Sequence, residues 1–153
     1  MHFFKTNSLN LSQKEALKNL WNAEYPRIIQ HKTIDDFDRY LNSLSEVNHT
    51  LVLENNNISG WFACFSRDNE QWFLMILNHK HQGKGIGKQL IEKAKQEYTI
   101  LNGWVVCDND YKKADGTTYK SPVGFYKKLG FTFFEDITLD ASGLKAIKIQ
   151  LKR

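Results

Sequence analysis

The chain has 153 residues, 41% hydrophobic, 25% charged and 13% aromatic, enough ordinary globular sequence to bury one sizeable core. Its longest uncharged apolar run, residues 72–77, falls far short of the ~20 residues of a membrane helix, and the N-terminus lacks the charged start, apolar middle and small-residue cleavage site of a secretory signal. The net charge of +4 suits an acidic small-molecule ligand and argues against nucleic acid as a partner.

A cytoplasmic protein with no membrane partner is therefore expected. No repeat, low-complexity tract or Pro/Gly-rich linker divides the chain, so residues 1–153 are expected to form one domain. Cys64 and Cys107 both lie in apolar runs, where buried reduced thiols are expected. Residues 2–5 read as a first strand. Ser12 opens a helix with Glu15 as its capping-box partner, Leu17, Leu20 and Trp21 as its apolar stripe and Pro26 marking its end. Thr33 caps a second helix, in which Ile34, Phe37, Tyr40, Leu41 and Leu44 recur at helical spacing.

After these helices the period changes. Residues 50–54 read as a strand, Asn55, Asn56 and Asn57 as a turn, and residues 58–65 as the returning strand. A polar loop over 66–71 leads into a strand over 72–77. A glycine-rich turn then opens a helix whose inner face is Ile86, Leu90, Ile91, Ala94 and Tyr98. Residues 104–107 form a strand and 108–120 a polar segment. Ser121 caps a helix with Pro122 in its first position and Gly130 past its end. Residues 131–135 and 146–151 close the chain as strands. The order β-α-α-β-β-β-α-β-α-β-β predicts an α/β protein with a mixed, largely antiparallel central sheet flanked by helices.

The turn Gly83-Lys84-Gly85-Ile86-Gly87 carries the chemistry. Glycines between a strand and a helix let the backbone approach a phosphate, whose charge the free N–H groups and helix dipole favour. The spacing is wrong for a P-loop, because Gly83 and Gly87 enclose too few residues and Gln89 stands where the magnesium-binding hydroxyl belongs. It is also wrong for the dinucleotide fingerprint, whose third glycine would come one residue later. The pattern that fits is Gln-x-x-Gly-x-Gly, beginning at Gln82.

Here the chain resembles the GCN5-related N-acetyltransferases, the GNAT superfamily. The preceding strand ends in Ile76-Leu77, and the segment Gly124-Phe125-Tyr126-Lys127-Lys128-Leu129-Gly130-Phe131 is similar to the family's second signature, Phe-Tyr-x-x-x-Gly-Phe. The element order matches over nearly the whole chain. The resemblance implies that acetyl-CoA is the cosubstrate. Its pyrophosphate would be wrapped by Gln82, Gly83, Lys84, Gly85, Ile86, Gly87 and Lys88, and its pantetheine arm paired with the backbone at Ile76 and Leu77. Phe125 would line the pantetheine channel.

The implied reaction is direct acetyl transfer to a neutral amine of a small molecule or peptide, without a metal. Backbone N–H groups near Leu77 would polarise the thioester carbonyl, and Tyr126 occupies the family's general-acid position toward the CoA thiolate. Two departures stand out. The position where many members carry an asparagine is Tyr119, with Asn109 as a substitute, and a common alanine is replaced by Pro122. Gln71, Glu70, Glu54, Asp108 and Asp110 are all open as the general base, beside a water chain without one. His79 and His81 lack further ligands at metal spacing. The segment 108–120 is expected to shape the acceptor pocket, with Asp108, Asp110 and Asp115 suiting a cationic amine. A non-catalytic acyl-CoA-binding module on the same fold is the alternative reading, and a tRNA-acetylating toxin is disfavoured by the dispersed lysines. A homodimer through the two C-terminal strands is left open.

Overall fold

Three pairs of consecutive left-handed residues set the hairpins: Asn55 and Asn56 (φ 51° and 66°), Asp68 and Asn69 (53° and 61°), and Ser142 and Gly143 (55° and 90°). Two such residues make the turn whose twist matches that of paired strands, and Asn, Asp and Gly tolerate it best. The computed structural model describes residues 1–153. The first pair joins β2 (Ser45–Glu54) to β3 (Asn57–Arg67), and the second joins β3 to β4 (Glu70–Leu77). The third joins β6 (Thr132–Ala141) to β7 (Leu144–Lys152). The strands are consequently longer than their apolar runs. The polar residues Ser66, Arg67, Glu70 and Gln71 pair across β3 and β4, leaving only Asp68 and Asn69 as turn.

With β1 (His2–Thr6) and β5 (Ile100–Val105), the sheet runs β1-β2-β3-β4-β5-β7-β6. Only β4 and β5 are parallel. The helices are α1 (Leu11–Glu24), α2 (Ile34–Asn42), α3 (Ile86–Glu97) and α4 (Val123–Lys128), in the expected order. α1 begins before Ser12: Asn10 Oδ1 accepts from Gln13 N (2.8 Å), and Gln13 Oε1 accepts from Asn10 N (2.9 Å). Two overlapping capping boxes compete there, and the earlier one adds hydrogen-bonded residues to the helix. Thr33 caps α2 as expected, accepting from Asp36 N. At α4, Pro122 takes the cap position itself, while Ser121 Oγ accepts from Val123 N.

Helices α3 and α4 cover one face of the sheet, burying Phe62, Phe73, Ile91, Leu101, Tyr126 and Ile149. Helices α1 and α2 cover the other, over Leu17, Trp21, Phe37, Leu51, Trp61 and Ile76. Cys64 is buried as expected, but Cys107 lies beyond the end of β5 and is exposed. β7 is paired on both sides, so β6 alone offers a free edge at that end of the sheet. No helix is long and apolar enough to cross a membrane.

One buried polar pair sits within the second core. His49 is buried on β2, and Trp61 Nε1 donates to its Nδ1 at 3.0 Å. That bond requires an unprotonated Nδ1, and burial pushes the imidazole down to about 4. Because folding excludes the proton, the stability of this site is complete above pH ~6.5 and falls as pH drops toward 4, by up to about 3 kcal/mol. Denaturant unfolding at stepped pH should show that loss. His49→Asn, which keeps an acceptor for the indole, should flatten the curve between pH ~6.5 and ~4.

Candidate active site

The parallel strands β4 and β5 pair at a single position, Trp72 with Asn102, and diverge beyond it. The Asn102 side chain is fully buried and pins the apex of this gap. Its Nδ2 donates to Glu70 Oε2 (2.9 Å) and Gln71 O (3.0 Å), while its Oδ1 accepts from Gln150 Nε2 (2.9 Å). One amide thus ties β4, β5 and β7 together. Past it the Phe73 ring lies so close over Gly103 that a Cβ there would fall 2.8 Å from Phe73 Cε1. On its other side β4 remains paired to β3 as far as Leu77. From Phe73 to Leu77, then, the edge of β4 that faces β5 has no ladder partner.

The chain leaves β4 through a 3-10 turn, His79–His81, capped by Asn78, whose side chain accepts from Lys80 N. Gln82 Nε2 reaches back to Leu77 O at 3.1 Å and closes the glycine turn onto the strand end. Gly83 and Gly85 adopt φ of 78° and 83°, and a Cβ at either would meet nothing within 4 Å. These glycines are needed for their backbone conformation, and the space beside them is open. No backbone N–H from Gly83 to Lys88 donates to another group of the chain. Six consecutive free donors thus stand at the start of a twelve-residue helix, the arrangement in which backbone N–H groups and the helix dipole favour negative charge. Lys84 and Lys88 are exposed on its rim, while Ile86 anchors the helix start in the core. Gly87 serves a different purpose: a Cβ there would fall 3.0 Å from Phe125 Cζ. Its absence lets α4 dock on the turn.

Docking of α4 places Tyr126 at the gap. Its ring packs against Phe125 (centroids 5.0 Å), Phe131 (5.1 Å) and Phe73 (6.0 Å). A cavity of ≈ 450 Å³ opens there, lined by Phe73 and Met75 of β4, Trp104 of β5, Tyr126 of α4, Tyr25 after α1, and Leu139 of β6. Its size lies within the roughly 300–1,000 Å³ of small-molecule sites. Burial pushes the Tyr126 phenol well above its ordinary range, and Tyr119 adds to the shift. Tyr25 is raised likewise by burial and its neighbouring phenols, and its hydroxyl donates to Met75 O at 3.4 Å. Burial pushes Tyr119 up to about 12. All three phenols keep their protons at neutral pH.

Most of the expected residues thus assemble along one line. Leu77 is half-buried at the end of the β4 edge that faces the gap, Gln82 to Lys88 form the turn and Tyr126 lines the cavity. Ile76, by contrast, is buried in the α1–α2 core with its backbone paired to Trp61 of β3, and Phe125 packs on Gly87 and Tyr126 outside the cavity lining. Tyr119 lines the cavity, but Asn109 does not: its Oδ1 accepts from Ser121 N at 2.8 Å. Of the open candidates for a base, Glu70 is held by Asn102, Glu54 pairs with His81 Nε2 (2.7 Å), and Gln71 donates to Ser66 Oγ. Asp108, Asp110 and Asp115 are exposed and line no part of the cavity, against the expectation for a cationic acceptor.

Sequence reasoning missed Glu24. It is buried at the end of α1, where His79 N (3.0 Å), His79 Nδ1 (2.9 Å) and Lys113 Nζ (3.0 Å) converge on its carboxylate. Burial alone would raise it, but the bonds from His79 and Lys113 together hold it below the usual carboxylate range. It clamps the glycine turn to the 108–120 segment, and it also splits the His79–His81 pair, since each imidazole turns to a different acid. A glutamate at the polar end of an amphipathic helix gives no sequence signal of such a partner.

The family model described as the acetyltransferase (GNAT) domain matches residues 46–133, more than half of the chain. No curated protein matches the sequence significantly. Among solved structures, an aminoglycoside 6'-N-acetyltransferase complexed with coenzyme A superposes with a TM-score of 0.72 at 13% identity, covering 99% of this chain and 97% of that one. The aminoglycoside 6'-N-acetyltransferase from Enterococcus faecium gives 0.69 at 12% identity, with 99% and 97% covered. The ribosomal-protein-S18-alanine N-acetyltransferase from Escherichia coli gives 0.64 at 15%, with 99% and 94% covered. At these identities the likeness is one of fold.

If Asn102 pins the apex, Asn102→Ala should strip partners from Gln71 O and Gln150 at once. A stability loss of about 2 kcal/mol or more is expected in denaturant unfolding. A loss under about 0.5 kcal/mol, the scale of a surface substitution, would contradict this role.

Proposed function

Because the chain belongs to the GNAT acetyltransferase family, we propose that it moves an acetyl group from acetyl-CoA directly to an amine, acting as one unit over residues 1–153. The observation that carries this reading is the row of six unpartnered N–H groups from Gly83 to Lys88, opening beside the unpaired edge of β4. Acetyl-CoA supplies an activated thioester at one end and a pyrophosphate at the other. The glycine turn suits the pyrophosphate: it has free donors, a helix N-terminus, open space at Gly83 and Gly85, and a cationic rim at Lys84 and Lys88. The edge from Phe73 to Leu77 offers backbone donors and acceptors to an extended, amide-bearing arm, much as an added strand would pair.

At the far end of the arm, Tyr126 holds a proton for the departing sulfur. Its raised pKa keeps the phenol fully protonated, and a thiolate formed in the same cavity is raised by the same loss of water. Backbone N–H groups of the free β4 edge polarise the carbonyl. No carboxylate lines this part of the cavity, so the amine's proton leaves through water or to the Tyr126 phenolate once that phenol has protonated the sulfur.

Titration calorimetry with acetyl-CoA and CoA on the wild type and on Gly85→Glu tests the binding half. The glutamate puts a side chain and a negative charge where the pyrophosphate belongs, so binding by the wild type and loss in the variant are expected. No binding to the folded wild type would remove the acetyltransferase reading. Tyr126→Phe should then lower kcat by about 10²-fold or more with acetyl-CoA affinity unchanged; an unchanged kcat would take the proton-donor role from Tyr126.

A further inference from the structure

The cavity beyond Tyr126 has a composition that selects among amines. Its walls are aromatic, with Trp21, Tyr25, Tyr40, Phe65, Trp104 and Tyr119 facing one another across the gap. Of its 24 lining residues 18 are hydrophobic and none is Asp or Glu. The nearest buried carboxylate, Glu24, lines no part of the cavity and already accepts from His79 and Lys113. The one formal charge in the lining is the cation of Arg67, half-buried on the faces of Phe65 (5.1 Å) and Trp72 (5.3 Å) with no acidic partner.

Two polar atoms in this wall lack partners. Trp104 Nε1 and His31 Nε2 are buried, make no hydrogen bond and belong to residues that line the cavity. An indole N–H can only donate, and a buried donor left unpaired costs about 1–3 kcal/mol. Trp104 packs on Trp72 (centroids 5.1 Å), and the Arg67 guanidinium lies over the same Trp72 ring. The Trp104 N–H is closed off from the open cavity, so Arg67 is the accessible donor of this wall that asks for an oxygen acceptor.

We propose that the acceptor is a small monoamine on an aromatic body bearing a carboxylate or carbonyl group, its ring between the aromatic walls and its oxygens toward Arg67. This rests on the acetyltransferase reading of the same cavity. Polycationic amines are disfavoured, because any ammonium drawn into the cavity would lie beside the Arg67 cation with no carboxylate to meet it. The same desolvation makes the protein bind the free amine, so the ammonium surrenders a proton to solvent on entry. In the transfer the nitrogen lone pair forms the N–C bond and the C–S bond breaks with its electron pair on sulfur. Sulfur takes the Tyr126 proton, and the proton lost by nitrogen restores the phenol.

The test compares L-phenylalanine, L-tryptophan and phenethylamine with kanamycin, spermidine and a lysine-rich peptide, by thiol release and by calorimetry on the CoA complex. The aromatic amino acids should be acetylated with kcat/KM at least tenfold above every polycation. Arg67→Gln, which loses the cation, should weaken L-phenylalanine binding about tenfold, equivalent to ~1.4 kcal/mol, and leave phenethylamine within about twofold. An unchanged CoA affinity shows that the variant is folded. Should it fail to fold, Arg67→Met carries the same comparison. Acetylation of the polycations, or binding of acetyl-CoA with no turnover of any aromatic amine, overturns the assignment while leaving the cosubstrate site intact. Failure to bind acetyl-CoA removes the parent reading as well.

Discussion

The site depends on one interruption of a hydrogen-bonded sheet. Parallel strands normally satisfy each other's backbone along their length, yet β4 and β5 meet only at Trp72 and Asn102. Backbone groups that lose a ladder are costly unless something else satisfies them. The chain keeps the interruption local through a buried amide that serves three strands at once, and through an unbroken ladder between β3 and β4. What remains is a rigid slot with polar edges, held from both sides by packed cores. A ligand with an extended, amide-rich arm can complete it.

The two ends of the slot differ in physics. At the glycine turn the groups are exposed, the rim is cationic and the donors are backbone, which suits a charged group that stays partly in water. At Tyr126 the surroundings are aromatic, and the phenols of Tyr25, Tyr119 and Tyr126 are pushed upward by burial. Charge on the reacting groups is disfavoured there, so amine and thioester meet neutral and protons must be handed over locally. The contact of Gly87 with Phe125 joins the two ends, because the residue that opens α3 also seats the helix that carries Tyr126. Glu24 does similar work on the opposite side, its buried carboxylate holding the exposed His79 and the half-buried Lys113.

Much of this was legible in the sequence where local chemistry leaves few choices. The spacing of Gly83, Gly85 and Gly87 after an apolar strand, and the pair Phe125-Tyr126 ahead of Gly130-Phe131, marked the turn and the wall. Element order followed from hydrophobic period. Boundaries were less legible. Asn10-x-x-Gln13 and Ser12-x-x-Glu15 are both sound capping boxes, and only the folded helix shows which one forms. Ser66 and Gln71 looked like loop because polar residues at the solvated end of a hairpin carry no apolar alternation, although they pair. Asn102 was invisible, since one asparagine among Ile100, Leu101 and Gly103 has no local partner; its three partners lie on other strands. The same holds for Arg67 and Trp104, which share a cavity wall only through the crossing of β3, β4 and β5. The acids at Asp108, Asp110 and Asp115 misled for the converse reason: they are near the site in sequence, but their carboxylates are spent within their own loop or point to water.

The central claim is that one bound molecule satisfies both the free donors of the glycine turn and the free edge of β4. Backbone amide shifts followed by NMR during titration with CoA test it directly. The account expects the largest changes at residues 83–88 and 73–77, saturating together with a single affinity, with β1 and β6 unmoved. Changes confined to other surfaces, or a response at the turn without one along β4, would contradict it.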